Sequence, residues 1–444
     1  PAPATAPEDT RPAPETEPEA PSTEPETETR DTRPEPDDTS IEPEDTSTET
    51  ETRDTSPEPE THDTSPATDT TIGPEPLPPA DASLLSAPPY LMWVTSSEVS
   101  VRWETTTPVV GRVDFGPSDA LGLTVEEPSA RTTHELRLTG LPAANLNSYR
   151  VVYGGGALPI RRFRTAPLDD AETEEPMRFI VWGDNQNGPS NFTKLTALMA
   201  ELEPDFAISV GDCVQNGTRS EYRSQLFKPL AGTADQVPFL VAAGNHERYG
   251  DSDASLFGEY FSQPGDEHCF GWRYGELFVL FLDTDLPLDG TGGQRACVEA
   301  ALTSPAALGA SIQAAAFHKP PRVEWWVGGF LAFTDAMEAP WVREDLEPLL
   351  EQHGVDLVFN GHNHLYAHTP ETDGGITWVT TGGGGGLIDT RGVLDIWRVG
   401  NWPEIETTLH QFHFLLVELH VGEAFVQAFD IDGEVIHAFF TYGD

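Results

Sequence analysis

The chain has 444 residues, with 74 acidic side chains against 25 Lys and Arg, and a formal net charge of −49. A field of that sign repels nucleic acid, so no DNA or RNA partner is expected. No run of 18 apolar residues occurs, so no membrane-spanning helix is expected either. The first 80 residues are almost entirely Pro, Glu, Asp, Thr, Ser and Ala, with no Trp, Phe or Tyr. They hold 23 acidic residues against four arginines, or −19 of the total charge. Such a segment cannot bury enough apolar surface to offset its ordering entropy, so residues 1–82 are expected to form a disordered acidic stalk. "ETETRDTRPEP" at 26–36 returns as "ETETRDTSPEP" at 49–59. With no apolar side chain to stack, this repeat reads as low complexity, not as a solenoid. A stalk of this kind suits tethering a folded body at a cell surface; the competing reading is a plain solvated tail. The chain opens at Pro1 without an apolar leader, which reads either as a processed chain or as a segment cut from a longer one.

Residues 83–168 change character. "VSVRW", "GRVDFG", "HELRLTGL", "SYRVVYG" and "IRRFRTAP" are short alternating runs separated by Gly, Pro, Asn and Ser. Regular spacing of such runs predicts an antiparallel β-sandwich. No metal-ligand spacing occurs in it, and His134 reads as a half-buried strand residue.

From 169 to 444 the pattern changes again. Apolar runs end abruptly in polar tips: "RFIVWGDNQ", "PDFAISVGDCVQNG", "PFLVAAGNHE", "LFVLFLDTD", "SIQAAAFHKPP", "DLVFNGHNH" and "TWVTTGGGGG". Helical stretches at 191–202 and 342–353 lie between some of them. Apolar strands alternating with helices predict a sheet covered on both faces, with ligands gathered beyond the carboxyl ends of its strands. The tips supply Asp184, Asp212, Asn245, His246, His318, His362 and His364. Carboxylate, amide oxygen and imidazole together suit divalent or trivalent metal ions. Taken singly, each has a bland role as a turn former, a helix cap or a loop residue. Repetition of one pattern, strand then turn then ligand type, favours a shared metal site. The 382–386 glycine run reads as turn flexibility or as a close approach to substrate. Trp325, Trp326 and Phe330 read as pocket walls or sheet cover, and Cys213 as a packed thiol. Three cysteines make no disulfide framework, although Cys269 and Cys297 could pair in an oxidising compartment.

The order "GD" at 183–184, "GD" at 211–212, "GNHE" at 244–247, a lone His318 and "GHNH" at 361–364 resembles the calcineurin-like metallophosphoesterases. The sandwich ahead of it, opening near "PPYLMWVTSSEVSVRW" and closing with "FRTAP", resembles the fibronectin type III-like domain that precedes purple acid phosphatases. The resemblance implies an α/β four-layer catalytic domain holding two metal ions, Fe, Mn or Zn. Asp212 would bridge both ions, Asp184 and His364 would hold the first, and Asn245, His318 and His362 the second. His246 would face the substrate as general acid or charge stabiliser. Two positions depart from the family pattern. Gln186 stands where many members have a His ligand, and Gln215 stands where purple acid phosphatases have a metal-binding Tyr. Two divalent ions and no tyrosinate colour are therefore expected. The implied activity is hydrolysis of a small phosphorylated substrate, most simply a monoester, in an extracellular, periplasmic or cell-surface location. The alternatives are a phosphodiesterase on the same site and a non-catalytic surface-binding protein that keeps the fold.

Overall fold

The computed structural model describes residues 76–169, 171, 173, 175–265, 267–326, 339–372, 374–390 and 398–443, which belong to one compact unit. The stalk expected at 1–82 lies outside these residues except for its last seven, and so does Phe330.

The alternating runs of the N-terminal part form two small sheets. Leu85–Met92, Glu98–Val109 and Arg131–Thr139 pair antiparallel in one. Arg112–Gly116 lies between Leu123–Glu126 and Leu146–Tyr153 in the other, and Arg161–Arg164 also pairs with Leu146–Tyr153. Val99, Val101, Trp103 and Leu136 from the first sheet share a buried cluster with Val113, Phe115, Tyr149 and Val151 from the second. Period-2 alternation delivers one apolar face per strand, and the two faces close on each other. His134 is fully buried, deeper than the half-buried position its strand pattern suggests.

The remainder is built on two larger sheets. Met177–Trp182, Phe206–Ser209 and Phe239–Val241 run parallel, and His413–His420 adds antiparallel to the first of them. The second sheet runs Cys269–Tyr274, Leu277–Leu282, Ile312–Ala316, Leu357–Asn360 and Thr377–Thr381, with its central pairs parallel. Alternation explains the layering. Phe179 and Val181 join Val279, Phe281, Ala314 and Phe359 in a core between the sheets. Ile180 and Trp182 face outward onto helix Pro189–Glu201 through Phe192, Leu195 and Met199. On the far side Phe278, Leu280 and Val358 meet Val298, Leu346 and Leu350 of the covering helices. The result is helix, sheet, sheet, helix, and both faces of each central strand are apolar for that reason.

The N-terminal sheet is also continuous with the first large sheet, because Met92 pairs in parallel with Phe239. A disulfide joins Cys269 to Cys297, tying an edge strand to helix Arg295–Leu302. Among the described residues, no helix is long and apolar enough to cross a membrane.

Candidate metal centre

Each residue singled out in the tips leaves a strand at its carboxyl end. Asp184 follows Met177–Trp182, Asp212 follows Phe206–Ser209, and Asn245 and His246 follow Phe239–Val241. His318 follows Ile312–Ala316, and His362 and His364 follow Leu357–Asn360. The chain turns sharply at these points. Asp184, Asp212 and His362 have φ of 61°, 54° and 64°, a left-handed conformation that costs a non-glycine residue of order 1–3 kcal/mol. Each follows a glycine. Gly211 itself has φ of 100°, and a Cβ on Gly361 would lie 2.3 Å from Asp184 Oδ2. That close approach lets the His362 N–H donate to both oxygens of Asp184 at 3.0 and 2.9 Å.

The turns bring five side chains together. Asp212, His318 and His362 offer donor atoms within 4.8 Å of one another, and so do Asp184, Asp212 and His364. Asp212 belongs to both groups. Its Oδ2 is 3.1 Å from His318 Nε2, and that nitrogen is 3.2 Å from His362 Nδ1. His364 Nε2 is 3.3 Å from Asp184 Oδ1. Edges of this length match ligands about 2.0–2.2 Å from a shared cation.

The imidazoles are oriented for that role. His318 Nδ1 donates to the Val210 carbonyl at 2.8 Å, and His364 Nδ1 donates to the Leu387 carbonyl. A carbonyl can only accept, so Nδ1 carries a proton in each ring and Nε2 is the atom that faces the cluster. Asn245 adds independent evidence of fit. Its Nδ2 donates to the Tyr249 hydroxyl at 2.9 Å, while its Oδ1 is buried with no hydrogen-bond partner. An orphaned buried acceptor is costly unless something electropositive meets it.

Electrostatics point the same way. Burial opposes charge on Asp212, but His318 outweighs it and holds the carboxyl well below the usual range. Burial would lower His318, yet Asp212 and Asp184 raise it to about 10. Burial likewise opposes His364, and Asp184 lifts it to about 9. Protons and metal ions compete for these lone pairs, so metal binding must release protons.

His246 stands beside the cluster. Its N–H donates to Asp212 Oδ1 at 2.9 Å, and its Nδ1 donates to the Gln215 carbonyl at 2.7 Å. Its Nε2 lies 3.8 Å from Asp212 Oδ2, on a partly exposed side. Gln186 stands inside the cluster, its Nε2 3.1 Å from both Asp212 Oδ2 and His364 Nε2. Gln215 instead meets His246, with Nε2 3.3 Å from Nδ1.

The glycine run serves the scaffold. A Cβ on Gly382 would lie 2.2 Å from the Asn363 carbonyl oxygen, and Gly386 N–H donates to the Asp184 carbonyl at 2.9 Å. Trp325 is buried against Leu365, whereas the Trp326 ring lies 4.8 Å from His362. Cys213 is buried, with its thiol pushed well up by that burial.

Two supporting residues carried no role in the sequence reading. Glu247 accepts from the N–H groups of Asp212, Cys213 and Gly244 at 3.1, 2.8 and 2.8 Å, fixing the turn that carries Asp212. Burial and the Asp212 charge push its pKa up to about 8. It is the fourth letter of "GNHE", which was the available signal. Asp389 accepts from the His364 N–H and from Asn363 Nδ2, both at 2.9 Å. No local pattern marks it.

With this geometry in place, comparison with known proteins is direct. Residues 177–366 match the calcineurin-like phosphoesterase family. Purple acid phosphatase 15 of Arabidopsis thaliana is 24% identical over 267 residues, covering 52% of this chain and 48% of that protein. Purple acid phosphatase 3 of the same plant is 22% identical over 324 residues, covering 61% and 79%. This chain thus spans about half of the first relative and most of the second. The structure of a purple acid phosphatase from yellow lupin (Lupinus luteus) seeds superposes with a TM-score of 0.68 at 17% identity, covering 79% of this chain and 73% of that one. That likeness concerns the fold.

Proposed function

We infer that this chain, purple acid phosphatase-like and carrying a calcineurin-like phosphoesterase domain over residues 177–366, is a metal-dependent phosphoric ester hydrolase. Enzymes of this kind use a dinuclear metal centre, and one observation carries the reading here: Asp212 is shared by two ligand groups. In our assignment Asp184, Asp212 and His364 hold one divalent ion, and Asp212, Asn245, His318 and His362 hold the other. Bound there, such ions supply Lewis acidity toward phosphoryl oxygen and lower the pKa of water.

The remaining work falls to the chain. Val210 and Leu387 carbonyls accept from Nδ1 of His318 and His364 and so turn each Nε2 inward, where a metal ion would displace its proton. The glycine run and the strained turns fix the carboxylates, and Glu247 holds the Asp212 turn. His246, adjacent to Asn245 but directed to the exposed side, is assigned as the acid that protonates the leaving oxygen, a role usually contributing about 10²- to 10⁴-fold. A phosphomonoester is the favoured substrate, consistent with the named relatives. We assign residues 83–168 to a fibronectin type III-like sandwich, supported by two facing sheets of alternating strands, and 169–444 to the catalytic domain. An extracellular, periplasmic or cell-surface location, with the acidic stalk as spacer, completes the proposal.

The test is metal analysis of the purified chain together with rates on an aryl phosphate monoester and its matched diester. Two metal equivalents and faster monoester hydrolysis are expected. A faster diester rate would move the reading to a phosphodiesterase, and bound metal without turnover would leave a binding protein.

A further inference from the structure

We propose that this site selects esters with one phosphate and an apolar, planar leaving group, and that Tyr249 does the selecting; the proposal rests on the hydrolase reading above. Tyr249 directly follows the short turn His246–Arg248. Its ring centroid is 4.4 Å from that of His246, with the planes inclined by 47°. Its hydroxyl accepts from Asn245 Nδ2, so the ring is held in place before any substrate arrives. Yet the residue is 61% exposed. A leaving group that takes its proton from His246 therefore emerges against a fixed aromatic face.

Two further apolar groups stand beside other histidines of the cluster. Leu387, whose carbonyl holds His364 Nδ1, is 75% exposed. Trp326 lies over His362. Cationic groups point the other way. Among the described residues, the two cations next to proposed site residues in sequence are already committed, Arg248 to Asp283 and Lys319 to Asp285. Neither remains to bind a second phosphate, and a chain of net charge −49 repels polyanions. Exposed Tyr249 and Leu387 and half-buried Trp326, each touching a residue of the polar cluster, are the kind of surroundings that bind an apolar group beside a charged one.

The experiment uses the full metal-loaded chain and compares benzyl phosphate with ethyl phosphate, whose leaving alcohols are of similar acidity. Metal content is measured for every protein. Wild type is expected to favour benzyl phosphate in kcat/KM. Tyr249→Ala is expected to lose about threefold to tenfold of that preference, mainly in KM, while Tyr249→Phe retains it. Leu387→Ser, which removes no ligand side chain, is expected to reduce the preference in the same direction. An unchanged preference in Tyr249→Ala with both metals bound would overturn the proposal, as would a wild type that favours ethyl phosphate or an inositol polyphosphate. Two bound metals without hydrolysis of any ester would instead overturn the hydrolase reading, and the selectivity with it.

Discussion

The molecule buries two kinds of histidine–carboxylate pair, and they differ in what surrounds the ring. In the N-terminal sandwich, His134 Nδ1 is 2.9 Å from Glu127 Oε2 and its Nε2 is 3.0 Å from Thr105 Oγ1. Trp103 stacks on the ring at 4.5 Å, and the Gly111 N–H donates to the same Glu127 oxygen at 2.8 Å. Both ring nitrogens are used, and burial, as the largest influence, lowers the His134 pKa. In the candidate metal centre His318 also lies against a carboxylate, but its outer nitrogen is anchored to a backbone carbonyl and its inner nitrogen faces both Asp212 Oδ2 at 3.1 Å and His362 Nδ1 at 3.2 Å. Asp212 raises the ring's pKa against burial, and the carboxylate sits on a left-handed turn. Burial of a charged pair does not mark a site. A site is marked by donor atoms from several elements converging on one point.

Mutating the two carboxylates sharpens the contrast. Asp212→Ala is expected to lose at least one metal equivalent and more than about 10³-fold in turnover, since it removes a ligand common to both groups. Metal analysis and steady-state rates check this, and full occupancy with normal turnover would erase the distinction. His246→Ala should keep its metals and lose about 10²- to 10⁴-fold on an alkyl phosphate, but far less on a nitrophenyl phosphate that leaves without a proton. Equal losses on both substrates would assign charge stabilisation instead of acid catalysis. Glu127→Ala should leave turnover unchanged and destabilise the fold by about 1–3 kcal/mol, the usual cost of leaving buried donors such as the Gly111 N–H without their acceptor. Denaturant unfolding measures it, and a fall in metal content would show that the sandwich pair is not silent.

A smaller effect separates the two pairs by pH. Folded-state values of about 10 for His318 and about 9 for His364 exceed the ordinary 6.5. Their stabilisation is complete below pH 6.5 and is lost as pH rises through 9 and 10. Glu247, raised from 4.5 to about 8, adds loss in the same direction between those two values. His134 has a lowered value, so its contribution lies below pH 6.5 and has the opposite sign. Metal-free protein should therefore lose thermal stability between pH 6.5 and 9, and metal-loaded protein should lose less. Melting curves across that range test it, and parallel profiles with and without metal would contradict the assignment.

Much of this was legible in the sequence. Strand tips carrying Gly-Asp and Gly-His were readable because a sharp turn after a buried strand needs a glycine, and because alternation on both faces identifies a covered sheet. The convergence of Asp184 with His364, 180 residues apart in the chain, followed only from the family order of the motifs. Other features were hidden for physical reasons. The strand pattern around His134 gives its face, but not the returning carboxylate of Glu127 that lets it sit so deep. Gln186 reads as a weak ligand by type, while its position between Asp212 and His364 depends on a turn with no local signature. Asp389 reaches the site by tertiary packing, which single-residue propensity does not encode.

The strand that carries Asp184 has an unusual set of neighbours. Phe206–Ser209 follows it closely, but its other partner is His413–His420, with Leu415 paired to Val181. Non-local pairing of this kind is slow, because a long loop must close before any contact compensates for it. During synthesis the Asp184 strand therefore remains an open edge until residues 413–420 have emerged. That edge is apolar on both faces, and such edges invite association with other chains. The order of assembly thus leaves this apolar edge open while every residue of the cluster, the last of them His364, has already been made.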